Sequence, residues 1–369
     1  MTTEKITLPI EFWNEGRTKT LCPEDENGRV LECAYFSSIQ FTGHSKHYPM
    51  PLMYSHQDKK LRLPTIERFM SLGRGTVYEE WMRYDMELCS SWSCCDIPVF
   101  YFVYNTANYF HFIYDTLPYL YTYFEGKKIH PDLKLLMSPA EGKDDLYPFV
   151  WETLELLGIT RDDVIFLKQD VIYNYVLVGS SLTHGGLSTK PPHRFTFDII
   201  NRLTGDYKGP ERVYISRRTW THNKLDNIGT NYTERRRCMN EDQVAQIFSL
   251  YGFEEVFCEN LTMKEKIGIF SSAKYVAGPI GGGMANVLFC PPETKVLSIN
   301  SPLFFYVNDR LRHAMEHTQL THFDHTSFTD EKEETVEDLG SLSISGGMNS
   351  PWEVDLNKLS KILDEWLTS

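Results

Sequence analysis

Three glycines in succession, Gly281, Gly282 and Gly283, lie in the stretch from Ala273 to Pro292. Tyr275-Val-Ala277 reads as the end of a buried strand, and Pro291 and Pro292 stop the short helical run that the glycines open. Glycines let the backbone come close to a ligand and adopt positive φ, and a helix start exposes unpaired N–H groups at the positive end of the macrodipole. That chemistry suits an anion, most often a phosphate. The alternative is a tight turn whose glycines serve packing alone.

Arg217, Arg218, Arg235, Arg236 and Arg237 concentrate positive charge in the C-terminal half of an otherwise acidic chain. Arg217 and Arg218 follow a predicted strand, Arg212-Val-Tyr-Ile-Ser216, at the edge where open α/β sheets bind ligands. A guanidinium fork matches phosphate oxygens and keeps its charge at every working pH. Arg217, Arg218 and Arg237 are therefore candidates for contact with a phosphate-bearing ligand, while Arg235 and Arg236 read as solvated surface.

His111 and Asp115 stand at i and i+4 in a stretch of helical character, which puts imidazole and carboxylate on one face. Such a pair can remove a proton, with Asp115 orienting the ring or acting directly. A satisfied core pair is the other reading of two polar residues among so many aromatics. His313, His317, His322 and His325, with Asp324, form a further cluster. Without an H-E-x-x-H pattern it reads as an amphipathic helix leading into a strand, and no metal is expected.

The elements that must hold these residues alternate. Ile97–Tyr104, Leu133–Met137, Val164–Leu167 and Tyr175–Val178 read as strands, with helices over Tyr109–Phe124 and Phe149–Leu157. After Gly205–Pro210, a plausible linker, a second series runs strand 212–216, helix Glu241–Tyr251, strand 253–257, helix 263–272 and the glycine loop. Asn108, Asn240 and Thr262 stand at helix starts, and Gly158 and Gly252 at helix ends. The first 95 residues show no sustained period and suggest short strands with long connections. Residues 219–234 and 330–350 read as loops, and Trp352–Leu367 as an amphipathic terminal helix. The expected fold class is α/β, with domains at 1–205 and 206–340 and the helix within 350–369.

Bulk properties narrow the function. A net charge of −13 over 369 residues argues against a general nucleic-acid binder. The eight cysteines show no C-x-x-C spacing and read as reduced thiols. No apolar leader is visible, and no run of about 18 apolar residues could form a transmembrane segment. A cytoplasmic protein is expected.

Several motifs then fall in one order: Val213-Tyr-Ile-Ser-Arg-Arg218, Arg237-Cys-Met-Asn-Glu241, Tyr251-Gly-Phe253, Glu259-Asn-Leu-Thr262 and Gly278-Pro-Ile-Gly-Gly-Gly-Met-Ala-Asn286. Upstream stands Asn108-Tyr-Phe-His-Phe-Ile-Tyr-Asp-Thr-Leu117. The series resembles glycosyltransferase family 61. The resemblance implies a GT-B fold, two Rossmann-like domains facing across a cleft, with a terminal helix crossing back to the first. It implies inverting, metal-independent transfer from a nucleotide-sugar, usually a UDP-sugar, to a hydroxyl of a glycan acceptor, without a cofactor. Arg217, Arg237, Asn240 and Asn286 take the family's donor-side positions, and His111 and Asp115 the acceptor-side ones. Two positions depart from the pattern: Ile280 replaces a loop histidine, and Lys266 a glutamine. A nucleotide- or glycan-binding protein of the same fold without catalysis is the alternative, and a hydrolase built on the histidine cluster ranks last.

Overall fold

A computed structural model describes residues 4–12, 17–21, 31–45, 48–63, 83–88, 92–103, 106–139, 142–179, 183, 195–205, 207–218, 236–300, 311–312, 320–323 and 351–368. The expected loops at 219–234 and 330–350 lie outside them, as do Arg235, His313, His317, Asp324 and His325. The chain divides into two compact units, Met1–Ile200 and Asn201–Ser369. Both mix sheet and helix, so the α/β class holds.

In the first unit, four parallel strands run in the order Val164–Phe166, Lys134–Met137, Val99–Tyr101, Val176–Gly179. Numbered along the chain, that order is 3-2-1-4, so the winding reverses beside Val99–Tyr101. Glu32–Phe36 and Arg17–Thr20 extend this sheet antiparallel. One face carries the helix Leu120–Ile129, with Tyr123 against Phe100 at 5.9 Å between ring centroids. A second, seven-stranded sheet covers the other face. It is drawn mostly from the first 95 residues, whose short strands were expected and whose assembly was not. The seam is apolar, with Ile39, Phe41 and Met53 meeting Val99, Tyr101, Val176 and Val178. The first unit is therefore layered helix, sheet, sheet, and not helices on both faces. Short antiparallel strands with one apolar face reach the same burial that crossover helices would supply.

The expected helix over Tyr109–Phe124 is broken into an α-turn at Tyr109–His111, a π-turn at Phe112–Thr116, a 3-10 turn at Leu117–Tyr119 and an α-helix from Leu120 to Ile129. Pro118 has no N–H to give to the preceding turn, so the ladder must change step near it. A π-turn widens the helix locally, and such bulges favour functional positions. Asn108 caps the first turn by accepting from the His111 amide, as the sequence suggested.

The second unit holds five parallel strands ordered Glu254–Val256, Arg212–Ile215, Tyr275–Pro279, Lys295–Ile299, Leu320–Phe323. In chain numbering this is 2-1-3-4-5, with the reversal between Arg212–Ile215 and Tyr275–Pro279. Thr262 and Glu265 form the capping box of the helix Met263–Ser272, and Gly252, at φ +78°, ends the helix Glu241–Leu250. Leu356–Thr368 lays Leu359, Leu363 and Trp366 into the core made by Tyr214, Phe248 and Phe253. Tyr251 fixes it further by donating to the Asp364 carboxylate. The family likeness implies a helix crossing to the N-terminal domain. Within the C-terminal unit, its apolar stripe lies against the core that the helix Glu241–Leu250 also covers.

Candidate functional sites

In each unit the candidate residues follow strands at the reversal point, on the carboxyl edge of the parallel sheet. Ligands of open α/β sheets bind at such places because the flanking loops diverge there and leave a crevice.

In the second unit, Arg217 follows the strand Arg212–Ile215 and Gly281 follows Tyr275–Pro279. The Arg217 guanidinium donates through Nη1 to the Ile280 carbonyl at 2.9 Å. It lies so close to Gly281 that a Cβ there would stand 2.5 Å from Nη1. Gly281 has φ 170°, extended backbone open to any residue, so the glycine is needed for space and not for conformation. Gly278 and Gly283 are equally crowded, against Ile215, whereas a Cβ on Gly282 would meet nothing within 4 Å. The left-handed backbone that a glycine run suggested is absent from all three loop glycines. Gly281 caps the 3-10 helix Gly282–Phe289, whose first amides have no intrahelical acceptor. A guanidinium and a helix start therefore share one spot, which suits a diphosphate.

Glu241 organises this spot, and sequence reading passed it over as a helix start. It is 2% exposed, and one carboxylate oxygen, Oε1, accepts from the Arg217 amide at 2.6 Å and from Tyr214 Oη and Ser216 Oγ, both at 3.3 Å. Burial pushes its pKa up, opposed first by the Arg217 amide bond and then by the Arg217 charge. Burial also draws the Arg217 pKa down, against the attraction of Glu241 and Glu259, and leaves it a cation at neutral pH. A carboxylate whose folded pKa lies above its unfolded one binds more protons when folded, so stability falls as pH rises between the two values. Glu241→Gln should remove that contribution. The loss of stability with rising pH from about 4.5 upward, followed by urea unfolding, is expected to be shallower in the variant than in the wild type. Parallel pH profiles would contradict the assignment.

The remaining donor-side candidates separate. Arg218 binds Glu255 with two bonds of 2.6 Å and Asp242 with one of 2.8 Å, and these carboxylates hold its charge firmly. Its guanidinium ties the strand end to neighbouring elements. Asn240 donates to the Val354 carbonyl at 2.7 Å and accepts from the Val354 amide at 3.0 Å, which docks the chain entering the terminal helix. It stands at the N-cap of the helix Glu241–Leu250 but makes no side-chain capping bond there. The Arg237 carbonyl accepts from the Trp352 amide at 2.9 Å. Asn286 is fully buried and donates to the Gly283 carbonyl at 2.8 Å, holding the glycine loop from behind. Ile280 buries its side chain, to 1% exposure, and Lys266 is buried as well. Arg217, Gly281, Gly282 and Gly283 thus gather at one place, while Arg218, Asn240 and Asn286 brace it.

In the first unit, His111 Nδ1 and Asp115 Oδ2 are 2.6 Å apart. Asp115 is 0% exposed and the His111 side chain 40% exposed. With Asp115 ionised, Nδ1–H is the donor, which fixes the tautomer and leaves the basic Nε2 on an accessible ring. Thr183, past the strand Val176–Gly179, donates to the other Asp115 oxygen at 3.4 Å. It follows the second strand of the reversal point, and nothing in the sequence marked it. Of the two possible proton acceptors, Asp115 is sealed from solvent and His111 is reachable.

Among the described residues no group of three or more His, Cys, Asp and Glu could hold a metal, and His322 lies in the strand Leu320–Phe323. The described cysteines are free, and burial raises the Cys33 and Cys258 thiols to about 12, which keeps them inert. Among the described residues no helix is long and apolar enough to cross a membrane. A family model described as Glycosyltransferase 61 matches residues 109–297, from the turn bearing His111 to the strand after the glycine loop. No curated protein matches the chain.

Proposed function

The chain belongs to the glycosyltransferase 61 family, and on that premise we propose that it is an inverting, metal-independent enzyme using a nucleotide-sugar, a UDP-sugar first among them. It is a glycosyltransferase; the acceptor we propose is a hydroxyl of a glycan. We take the two units as the halves of a GT-B enzyme, acceptor-binding and donor-binding. The observation that carries the donor reading is the Arg217 guanidinium held against Gly281 at the start of a 3-10 helix.

In this reading the acceptor hydroxyl oxygen attacks the anomeric carbon as its proton passes to His111 Nε2. The bond from that carbon to the diphosphate oxygen breaks on the opposite face, and the electron pair leaves with the diphosphate. Asp115 stabilises the imidazolium that forms, through Nδ1. Arg217 and the amides of the glycine loop stabilise the developing charge on the leaving group, the kind of preorganised electrostatics that contributes most to many rate enhancements. The chain's own cations thereby take a role that a divalent ion plays elsewhere.

A panel of nucleotide-sugars, screened by thermal shift and then by product formation with and without EDTA, tests this. One UDP-sugar should raise the melting temperature, since a ligand that binds only the folded state stabilises it by mass action. Transfer should persist in EDTA. Dependence on manganese or magnesium would overturn metal independence, and nucleotide binding without turnover would return the binding-protein reading.

A further inference from the structure

A cavity of about 620 Å³ lies in the first unit. Its lining includes Tyr35, Gln57, Asp58, Arg62, His130 and Tyr175. It also includes Pro98, just before the strand Val99–Tyr101, and Tyr175 comes just before Val176–Gly179. The cavity therefore sits at the amino edge of the parallel strands, whereas His111 and Thr183 follow their carboxyl ends. It is a separate place from the proton-acceptor site.

Its chemistry is specific. Tyr175 is 56% exposed, the most open aromatic side chain of the lining, and Tyr35 packs near the His130 ring at 6.1 Å. Aromatic faces suit the C–H face of a sugar ring. Arg62 is only 5% exposed, and its Nη2 donates to Asp58 at 3.2 Å. Its Nε and Nη1 have no hydrogen-bond partner. Those two atoms are closed off from the cavity, so the polar groups left to meet a ligand are the exposed Asp58 carboxylate and Gln57 amide. Asp58 already balances the Arg62 charge, which disfavours an anion. A carboxylate acceptor beside an amide that can both donate and accept matches the hydroxyls of a neutral sugar.

We propose that this cavity is a carbohydrate subsite that takes a neutral pyranose unit of the acceptor glycan, away from the unit being modified. The proposal rests on the glycan-acceptor reading, and its test keeps the two apart. The full chain, without nucleotide, would be titrated with xylo-, manno- and cello-oligosaccharides by calorimetry and saturation-transfer NMR. At least one should bind, and Tyr175→Ala should weaken it about tenfold, the scale of one lost aromatic contact. Tyr175→Phe, which keeps the ring, should retain affinity, and Gln57→Ala supplies a second exposed variant that should weaken it. Equal affinity in the wild type, Tyr175→Ala and Gln57→Ala would overturn the subsite, as would no binding at all or binding confined to uronate-bearing oligosaccharides. Turnover with Tyr175-independent affinity would sink the subsite and leave transfer standing. Tyr175-dependent binding without turnover would do the reverse.

Discussion

His111→Ala is expected to lower turnover by about 10²–10⁴-fold, the range for loss of a general base, while nucleotide affinity stays unchanged. Asp115→Asn should be comparably damaging. The amide keeps the shape, but it cannot stabilise an imidazolium, and its N–H₂ donates to Nδ1 and so moves the ring proton to Nε2. Exposure is what links the two effects: Asp115 is 0% exposed and the His111 side chain 40%. Added imidazole should restore part of the activity of His111→Ala, because it replaces the missing base. If Asp115→Asn is severe but His111→Ala retains near-normal turnover, the roles are reversed. Near-normal turnover in both would make the pair core packing.

Gly281→Ala should cost about 10–100-fold in nucleoside diphosphate affinity, the scale of one charge-assisted bond, and should lower the melting temperature. A methyl 2.5 Å from Arg217 Nη1 cannot coexist with the guanidinium where it stands. Arg217 must leave the Ile280 carbonyl, and the cation moves with it. Gly282→Val gives the contrasting case. Its side chain enters open space, so the melting temperature should hold while the added bulk keeps a phosphate from the loop amides. Calorimetry with UDP and a melting curve on each variant separate the two. Should Gly282→Val bind UDP like the wild type, the loop is structural only.

The local elements were legible because short-range chemistry specifies them. Thr262 three residues before Glu265, Gly252 and Gly158 at positive φ, and the apolar run Val296–Ile299 each announce an element within a few residues of chain. The i,i+4 spacing of His111 and Asp115 was equally local, and so was the order of motifs that pointed to the family. Where the strands would stand was not. Strand order depends on which apolar faces meet, and that alone brings Thr183 to Asp115 and Arg217 to Gly281. The stretch Tyr109–Phe124 was read as one helix, whereas it breaks into π and 3-10 turns before Leu120.

Residue identity determined that this chain carries guanidinium groups, a glycine loop and a His–Asp pair suited to sugar transfer. Tertiary structure alone decided what surrounds each of them. Arg218 and Arg217 are neighbours of one type, and only the position of Glu255 and Asp242 binds the first to carboxylates. Asn240 and Asn286 match donor positions by type, and the Val354 backbone and the Gly283 carbonyl turn both into braces. Asp115 and His111 are both able to take a proton, and burial seals one and opens the other. Sequence specifies the functional group, but its solvation and its partners come from residues distant in the chain, and those set what it can do.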